Sequence, residues 1–236
     1  MNTLMAWGLL GAFLSAQSFD VASVKPNTSG DSSSGASRLP GGRISITNNT
    51  VKDLIRNAYD VKPYQIAGGP GWMGSERYDV AAQAGGNASP DALRAMLKTL
   101  LADRFKLKLH REIRILPAYA LVVAKDGPKL KKAGDGGSSL SVFRSRGQLS
   151  AKNASMAQLA TSLSGLLDRP VLDMSRLTGA FDFDLQYEPF DAQPAGDSSR
   201  PSIFTGIEEQ LGLKLDAHMS SVEVLVIDQA ARPTEN

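Results

Sequence analysis

Side chains suited to acid–base or nucleophilic chemistry are few in this sequence. Its 236 residues include two histidines, His110 and His218, and no cysteine, which excludes thiol nucleophiles and cysteine-based metal sites. Both histidines lie in strand-like sequence, His110 on the polar side of an alternating run, so a solvated surface histidine is favoured over a general base. No HExxH, G-x-S-x-G, Walker or dinucleotide fingerprint is present. The sequence therefore predicts no catalytic residue.

Two carboxylates, Asp182 and Asp184, have the spacing of a paired-acid or calcium site. They alternate with Phe and Leu residues, however, and this alternation is typical of a strand with one solvated face, which is the favoured interpretation. The glycine-rich stretch Gly68 to Gly71 lacks the Lys-Ser/Thr pair and the helix that hold phosphate in nucleotide-binding loops. We therefore predict neither a metal site nor a cofactor.

Aromatic side chains cluster around a glycine-rich turn and form the candidate binding site. Trp72 lies inside the turn Gly68 to Gly74, and Tyr64 and Tyr78 flank it. Aromatic side chains supply much of the binding energy at interfaces, so we predict that Tyr64, Trp72 and Tyr78 contact a ligand or partner. The alternative is that Trp72 fills the core beneath the loop, because large aromatic residues serve packing more often than recognition.

The N-terminus has the pattern of a secretory signal peptide, although no Lys or Arg precedes the apolar run. Leu4 to Ala16 is uncharged and apolar, and Ala16-Gln17-Ser18 is an acceptable cleavage site. The run of about 13 residues is shorter than the roughly 20 that a transmembrane helix needs. The alternative is a buried N-terminal helix. We predict a signal peptide at residues 1–18, export to the periplasm or extracellular space, and no transmembrane span after processing.

The charge of the chain is nearly balanced, with 26 basic and 24 acidic residues. This balance provides no broad positive surface for a polyanion, so we expect no nucleic-acid partner. The basic residues between Arg104 and Arg114 are interpreted as an exposed strand face rather than a binding patch. The expected partner is an unknown protein, peptide or glycan of the cell envelope.

The sequence pattern indicates an internal repeat. The segment "GRISITNNTVKDLI" (Gly42 to Ile55) aligns with "GQLSAKNASMAQLA" (Gly147 to Ala160). Continued at the same offset, the alignment pairs Tyr78 with Phe183, Asp79 with Asp184 and Val80 with Leu185. A constant offset with matching changes of pattern predicts one module present twice.

Both copies carry an N-x-[ST] sequence where a strand-like pattern gives way to a helical one. The segments Thr50 to Asp53 and Ser155 to Gln158 match the capping box, in which the cap hydroxyl and the fourth side chain satisfy each other's backbone amides. Asn48 and Asn153 suit the preceding turn, because asparagine tolerates left-handed backbone. Helix capping is therefore favoured over glycosylation at these two positions.

These patterns predict an α+β fold of two similar repeats, each a small, mostly antiparallel sheet with two helices. Helices are expected at residues 51–60, 90–103, 155–167 and 202–211, and hairpins at 105–124 and 213–228. The Gly- and Ser-rich residues 133–141 are expected to form a flexible joint. Repeat unit 1 is then residues 19–132, and repeat unit 2 is residues 142–236.

Five stretches of the chain resemble one known family. They are "FDVASVKPN" (Phe19 to Asn27), "QIAGGPGWMGSERYDVAA" (Gln65 to Ala82), "LLADRFKLKLHRE" (Leu100 to Glu112), "RPVLDMSRLTGAFDFDL" (Arg169 to Leu185) and "VEVLVIDQAARPTEN" (Val222 to Asn236). They are spread over nearly the whole length of the mature chain, from Phe19 to Asn236, and are similar to the soil-associated bacterial protein family. The resemblance implies an exported bacterial domain without assigned biochemistry, which in some relatives is fused to membrane metallopeptidases of the β-lactam-sensor type.

Two functions of different classes follow. The first is a non-catalytic envelope or extracellular binding or sensory module, which presents a groove or a sheet edge to its partner. The second is a hydrolase-type enzyme with a dispersed active site. A structure separates them, because an enzyme should place His110 or His218 in a cleft beside a carboxylate or hydroxyl group.

Overall fold

The structure is a computed structural model that describes residues 17–31, 33–134, 137, 139–143, 147–189 and 200–233. Residues 1–16 of the predicted signal peptide, and residues 135, 136 and 138 of the predicted joint, lie outside the described residues. The described chain has a mixed α/β fold with four α-helices and several antiparallel sheets.

The helices are α1 (Val51–Tyr59), α2 (Pro90–Phe105), α3 (Met156–Leu167) and α4 (Ile203–Leu211), with 3-10 turns at Pro63–Gln65 and Gly71–Gly74. The strands are β1 (Val21–Pro26), β2 (Gly35–Leu39), β3 (Arg43–Thr50), β4 (Ile66–Gly68), β5 (Arg77–Gln83), β6 (Lys108–Val123), β7 (Lys131–Lys132), β8 (Ser139–Phe143), β9 (Gln148–Ala154), β10 (Val171–Asp173), β11 (Phe181–Gln186) and β12 (Leu213–Gln229). The chain divides into two compact units. Unit 1 runs to His110 and resumes at Val226, and unit 2 comprises Arg111–Leu225.

Unit 1 is built on an antiparallel sheet with strand order β1-β5-β3-β2. The ladder places Ile46 opposite Val80 and Ile44 opposite Ala82, and all four side chains are buried on one face of the sheet. Helices α1 and α2 contribute further buried side chains, including Leu54, Ile55, Leu97, Leu101 and Phe105. Burial of a large apolar side chain contributes about 1.5–3 kcal/mol, so these side chains stabilise the unit.

The first helix of each unit begins at a capping box, which confirms the prediction. Thr50 Oγ1 accepts a hydrogen bond from Asp53 N–H at 3.1 Å, and Asp53 Oδ2 accepts one from Thr50 N–H at 3.2 Å. Ser155 and Gln158 make the same two bonds, at 3.2 and 2.8 Å. These bonds satisfy backbone amides that the first helical turn leaves without a partner.

The residues ahead of these caps, Asn48 and Asn153, have left-handed backbone, with φ of 56° and 49°. Asn48 is 2% exposed, and its Nδ2 donates to the carbonyl groups of Asp31 at 2.6 Å and Ser33 at 2.8 Å. The nitrogen that would carry an N-linked glycan is therefore buried and hydrogen-bonded. A structural role accounts for this asparagine.

Unit 2 has an antiparallel sheet with strand order β7-β11-β9-β8. Helix α3 lies against β10, and α4 lies against β11. The core of the unit includes Leu149, Ala151, Phe183 and Leu185 from the sheet, with Leu159, Leu163 and Ile207 from the helices. Strand β10 pairs in parallel with β6, Val171 opposite Tyr119.

The two predicted hairpins are wrong. Residues 105–124 and 213–228 are described in full, and each contains one long strand, β6 or β12, with no reversal of the chain. A tight hairpin is usually turned by Gly or Asn, which tolerate positive φ, and neither segment contains either residue. The prediction inferred a turn from two apolar runs in succession, whereas β6 and β12 are neighbours in one sheet.

Candidate functional site

The loop at residues 68–74 begins at Gly68, the last residue of β4, and depends on glycine for its path. Gly68 and Gly69 have φ of 75° and 78°, a region that costs a residue with a Cβ about 1–2 kcal/mol. A Cβ on Gly69 would lie 2.9 Å from Met73 Sδ and 3.1 Å from Ile227 Cδ1. The loop, which we call the Trp72 loop, therefore packs closely against Ile227 of β12 within unit 1.

Met73, rather than Trp72, is the buried residue of the Trp72 loop. Met73 is 0% exposed, and its N–H donates to Pro70 O at 3.1 Å. Trp72 is partly exposed, and its carbonyl accepts from Ser75 N–H at 3.2 Å and Glu76 N–H at 2.8 Å. The loop thus has an apolar anchor of its own, and part of the tryptophan remains accessible to solvent.

Arg232 binds Glu76 and covers the ring of Trp72. Its Nε lies 3.0 Å from both carboxylate oxygens of Glu76, and its Nη2 lies 2.6 Å from Oε1. The guanidinium carbon is 5.2 Å from the centre of the Trp72 ring, which is within the range of a cation–π interaction. Tyr78 OH donates to Glu76 Oε2 at 3.0 Å. We call Trp72, Glu76, Tyr78 and Arg232 the Glu76 cluster.

The charges of the Glu76 cluster follow from these contacts. The hydrogen bond from Arg232 holds the pKa of Glu76 below its ordinary value, and the same bond raises the pKa of Arg232. Burial, together with the hydrogen bond to Glu76, raises the pKa of Tyr78 to about 12. At neutral pH the cluster therefore contains a carboxylate, a guanidinium and a neutral phenol.

The structure brings two of the three predicted aromatic residues, Trp72 and Tyr78, into the Glu76 cluster. Tyr78 is 3% exposed, and its ring stands edge-on to Phe105 with 5.2 Å between the ring centres. It therefore contributes its hydroxyl group rather than the face of its ring. Tyr64 is partly buried in the turn Pro63–Gln65, at the opposite end of β4 from the Trp72 loop.

A cleft of about 640 Å³ opens beside the Glu76 cluster, within the size range of small-ligand sites. It is lined by Pro26, Asn27, Gly30, Asp31, Asn48, Ser75, Glu76, Arg77, Tyr78, Arg232 and Pro233. Asp79 Oδ1 orders part of this lining by accepting from Asn27 Nδ2 and Asn48 N–H, both at 2.8 Å. Arg77 Nη1 donates to Asn48 O, also at 2.8 Å. The resulting surface carries charges of both signs and suits a polar ligand.

Glu76 and Arg232 are the site residues that the sequence reasoning missed. Glu76 directly precedes β5 and is two residues from Tyr78, a spacing at which strand alternation places both side chains on one face. That spacing could have indicated the pair. Arg232 is 156 residues from Glu76 along the chain, and so distant a partner leaves no local signal in a single sequence.

His110 lies beside a carboxylate on an open part of the surface. Its Nδ1 is 2.8 Å from Asp228 Oδ1, and the two side chains are 53% and 46% exposed. His218 is exposed on β12. An imidazole next to a carboxylate meets one part of the expectation for an enzyme, but this pair does not line the cleft beside the Glu76 cluster.

Asp182 and Asp184 bind groups of their own sheet in unit 2. Asp182 Oδ1 accepts from Asn153 N–H at 2.9 Å, and this bond is the main cause of the lowered pKa of Asp182. Ser150 Oγ donates to Asp184 and is the main cause of its lowered pKa, with Gln148 Nε2 as a further donor. Within the described residues, no group of three or more His, Cys, Asp or Glu side chains is placed to hold a metal ion.

In the part of the chain that the structure describes, no helix combines the length and apolar character needed to cross a bilayer. No curated protein and no solved structure matches the chain. The model of one family, described as a protein of unknown function (DUF3738), matches residues 52–230. This range includes all of α1 except its first residue, the Trp72 loop and all of unit 2. The chain therefore belongs to the DUF3738 family of proteins of unknown function.

Proposed function

We propose that the protein is a non-catalytic binding module and that it binds its partner at the Trp72 loop and the adjoining cleft. The observation that carries the proposal is the partly exposed side chain of Trp72 on a loop whose apolar anchor is Met73. Because Met73 anchors the loop, the exposed part of the Trp72 ring is available for recognition. Such side chains are common among the residues that dominate binding energy.

The chemistry of the cleft favours a peptide segment of a protein partner. Asp31, Glu76 and Arg77 line it together with side-chain amides, so it can pair with charged side chains and with peptide groups alike. Hydrogen bonds to Asp79 hold Asn27 and Asn48 of this lining in place. Because these residues are already ordered, less conformational entropy is lost when a partner binds. A glycan, which would bind through its hydroxyl groups, is the alternative occupant.

The proposed place of action is the periplasm or the extracellular space. The support for it is the apolar run Leu4 to Ala16 with the small residues that follow it. The resemblance to the soil-associated family points in the same direction. An exported module without a catalytic centre would act by holding or sensing its partner.

We also propose that one strand–helix–strand module occurs twice, as β3-α1-β4-β5 and as β9-α3-β10-β11. Each copy has an asparagine with positive φ whose N–H donates to an aspartate on the last strand of the module. These bonds join Asn48 to Asp79 at 2.8 Å and Asn153 to Asp182 at 2.9 Å. A capping box follows directly in both copies.

The register of the ladders refines the alignment of the two copies. Ile46 pairs with Val80, and Ala151, its counterpart in the second copy, pairs with Phe183. Val80 therefore corresponds to Phe183 rather than to Leu185, so the second copy is shorter by two residues between its helix and its last strand. Without a gap at this point, the sequence alignment pairs the wrong residues of the last strands.

The binding proposal is tested by capture of a partner from the native envelope fraction. Wild-type protein, Trp72→Ala and Phe204→Ala are immobilised at equal amounts. Phe204 is 41% exposed in unit 2 and is the matched aromatic control. We expect Trp72→Ala to lose the captured partner, with affinity lower by about thirtyfold for a 2 kcal/mol anchor, and Phe204→Ala to retain it. Equal capture by all three proteins would overturn the proposal.

A hydrolase-type enzyme is the second candidate, and the pair His110–Asp228 is the observation in its favour. A carboxylate 2.8 Å from Nδ1 can orient an imidazole so that its other nitrogen serves as a general base. If this pair is catalytic, His110→Gln should abolish turnover of a hydrolysable envelope substrate that the wild type consumes. An unchanged rate in His110→Gln would exclude this role.

A further inference from the structure

We propose that Trp72, Glu76 and Tyr78 form a binding site for the guanidinium group of an arginine on the partner, and that Arg232 occupies this site until the partner binds. The inference rests on the proposed function, since it names the side chain by which a peptide would be recognised at the cleft. Arg232 then occupies the position that the arginine of the partner takes in the complex.

The three residues match the shape of a guanidinium group. Both oxygens of Glu76 lie within 3.0 Å of Arg232 Nε, and the flat face of the Trp72 ring receives the cation at 5.2 Å. The hydroxyl group of Tyr78 donates to one carboxylate oxygen and thereby fixes its orientation. The planar guanidinium group of arginine can pair with a carboxylate through two N–H groups while its face lies on an indole ring. The ammonium group of lysine lacks this planar shape.

Arg232 is held in a way that permits exchange. The side chains of Arg232 and Glu76 are 61% and 38% exposed, and exposed ion pairs add little net stability because water and salt compete for the charges. The backbone is held separately, by a hydrogen bond from Ala231 N–H to Phe105 O at 2.7 Å. Rotation of the Arg232 side chain alone would free the site, with no strand or helix displaced.

The guanidinium site opens onto the cleft. Arg232 and Pro233 are part of the cleft wall, so an arginine that enters through the cleft reaches Glu76 directly. When Arg232 turns away, the carboxylates of Asp31 and Glu76 remain in the lining with the single guanidinium of Arg77. This balance favours a cationic side chain in the place that Arg232 leaves.

The test uses the fluorescence of Trp72 in the full chain. The sequence contains two tryptophans, and Trp7 lies in the predicted signal peptide. Trp7→Phe therefore makes Trp72 the only tryptophan whether or not that segment is removed, and Arg232→Gln is added to empty the site. The probes are Ac-Gly-Arg-Gly-NH2, its lysine analogue, and its citrulline analogue, which has the shape of arginine without the charge. We expect a saturable change of emission with the arginine peptide, an affinity about tenfold lower with lysine, and no saturation with citrulline.

Two further variants complete the test. With Arg232 in place, the affinity for the arginine peptide should fall by about tenfold or more, because the competent state is only partly populated. Adding Glu76→Gln to the Arg232→Gln protein should remove the saturable change. If Arg232→Gln does not fold, Arg232→Met takes its place, since it retains the aliphatic stem but not the charge that pairs with Glu76.

The result that would overturn the inference is a folded Arg232→Gln protein, verified by circular dichroism, that binds the arginine and citrulline peptides equally or binds neither. Partner capture separates this failure from failure of the proposed function. If capture depends on Trp72 while the arginine peptide neither binds nor competes, the guanidinium site is wrong and the binding module stands. If capture is independent of Trp72, the proposed function fails and this inference fails with it.

Discussion

At the scale of single residues, the carboxylate of Glu76 joins the parts of the candidate site. It accepts hydrogen bonds from Arg232 and from Tyr78, and through Arg232 it is connected to the ring of Trp72. Trp72 comes from a loop, Tyr78 from β5 and Arg232 from the segment after β12. The site therefore exists only when unit 1 is folded.

Tyr78 leads to a prediction about alkaline pH. Its pKa is raised to about 12, above the ordinary value of about 10, so the folded state retains a proton that the unfolded state releases. The stability that this provides is fully present below about pH 10 and is lost as the pH rises towards 12. Between these limits, the free energy of unfolding in urea should fall more steeply for wild type than for Tyr78→Phe. Parallel curves for the two proteins would show that Tyr78 does not titrate in this way.

At the scale of elements, the starts of α1 and α3 depend on single hydroxyl groups. Thr50→Ala and Ser155→Ala should each lower the free energy of unfolding by about 0.5–2 kcal/mol, because an amide at the helix start loses its acceptor. Thr161→Ala is the matched control, since Thr161 is exposed within α3 and donates to Ala157 O. Its effect should be within about 0.5 kcal/mol. If Thr50→Ala and Ser155→Ala lower the free energy of unfolding no more than Thr161→Ala does, the capping role of these two hydroxyl groups is wrong.

The Trp72 loop gives a second prediction at this scale, from two of its glycines. Gly69→Ala should lower the free energy of unfolding by about 1–3 kcal/mol, because φ is +78° and the new Cβ would approach Met73 Sδ at 2.9 Å. A Cβ on Gly71 would meet no atom within 4 Å, and the φ of Gly71 is not positive. Gly71→Ala should therefore stay within about 0.5 kcal/mol. Equal losses in chemical denaturation would mean that the loop path does not require Gly69.

The sequence predicts an element well when the residues that define it are close together along the chain. The capping boxes at Thr50 and Ser155 are local, because the interacting residues are three apart, and the helices they begin are found where expected. The absence of Gly and Asn from residues 105–124 is also a local signal, and it speaks against the hairpin expected there. The pairing of β6 with β12 leaves no such signal, because it joins residues that are far apart in sequence.

At the scale of the whole molecule, the prediction concerns export. If Leu4 to Ala16 directs secretion, cleavage after Ser18 leaves Phe19 as the first residue of the mature chain. N-terminal sequencing of protein recovered from the periplasm or the culture medium should therefore begin near Phe19. A mature protein that retains Met1 would contradict the prediction.

The candidate site, too, could be predicted from the sequence only where its signal is local. Sequence reasoning selected Trp72 because an aromatic residue among glycines is visible locally, and the structure places it partly exposed. It did not show that the ring of Tyr78 is buried, because β5 alternates and a single sequence does not tell which face meets the helices. Arg232 could not be found at all, since only the folded chain brings it to Glu76.

We propose that Trp72 serves recognition and that Met73 serves packing. The two roles are distinguished by the free energy of unfolding of Trp72→Ala and of Met73→Ala, measured by urea denaturation under the same conditions. Met73 is fully buried, so its removal should cost about 2–5 kcal/mol. Trp72→Ala should cost less, about 2 kcal/mol at most, since the Trp72 side chain is only partly buried and its contact with Arg232 is an exposed cation–π contact. A loss of about 3–5 kcal/mol in Trp72→Ala, as expected of a core aromatic residue, would show that Trp72 serves packing instead.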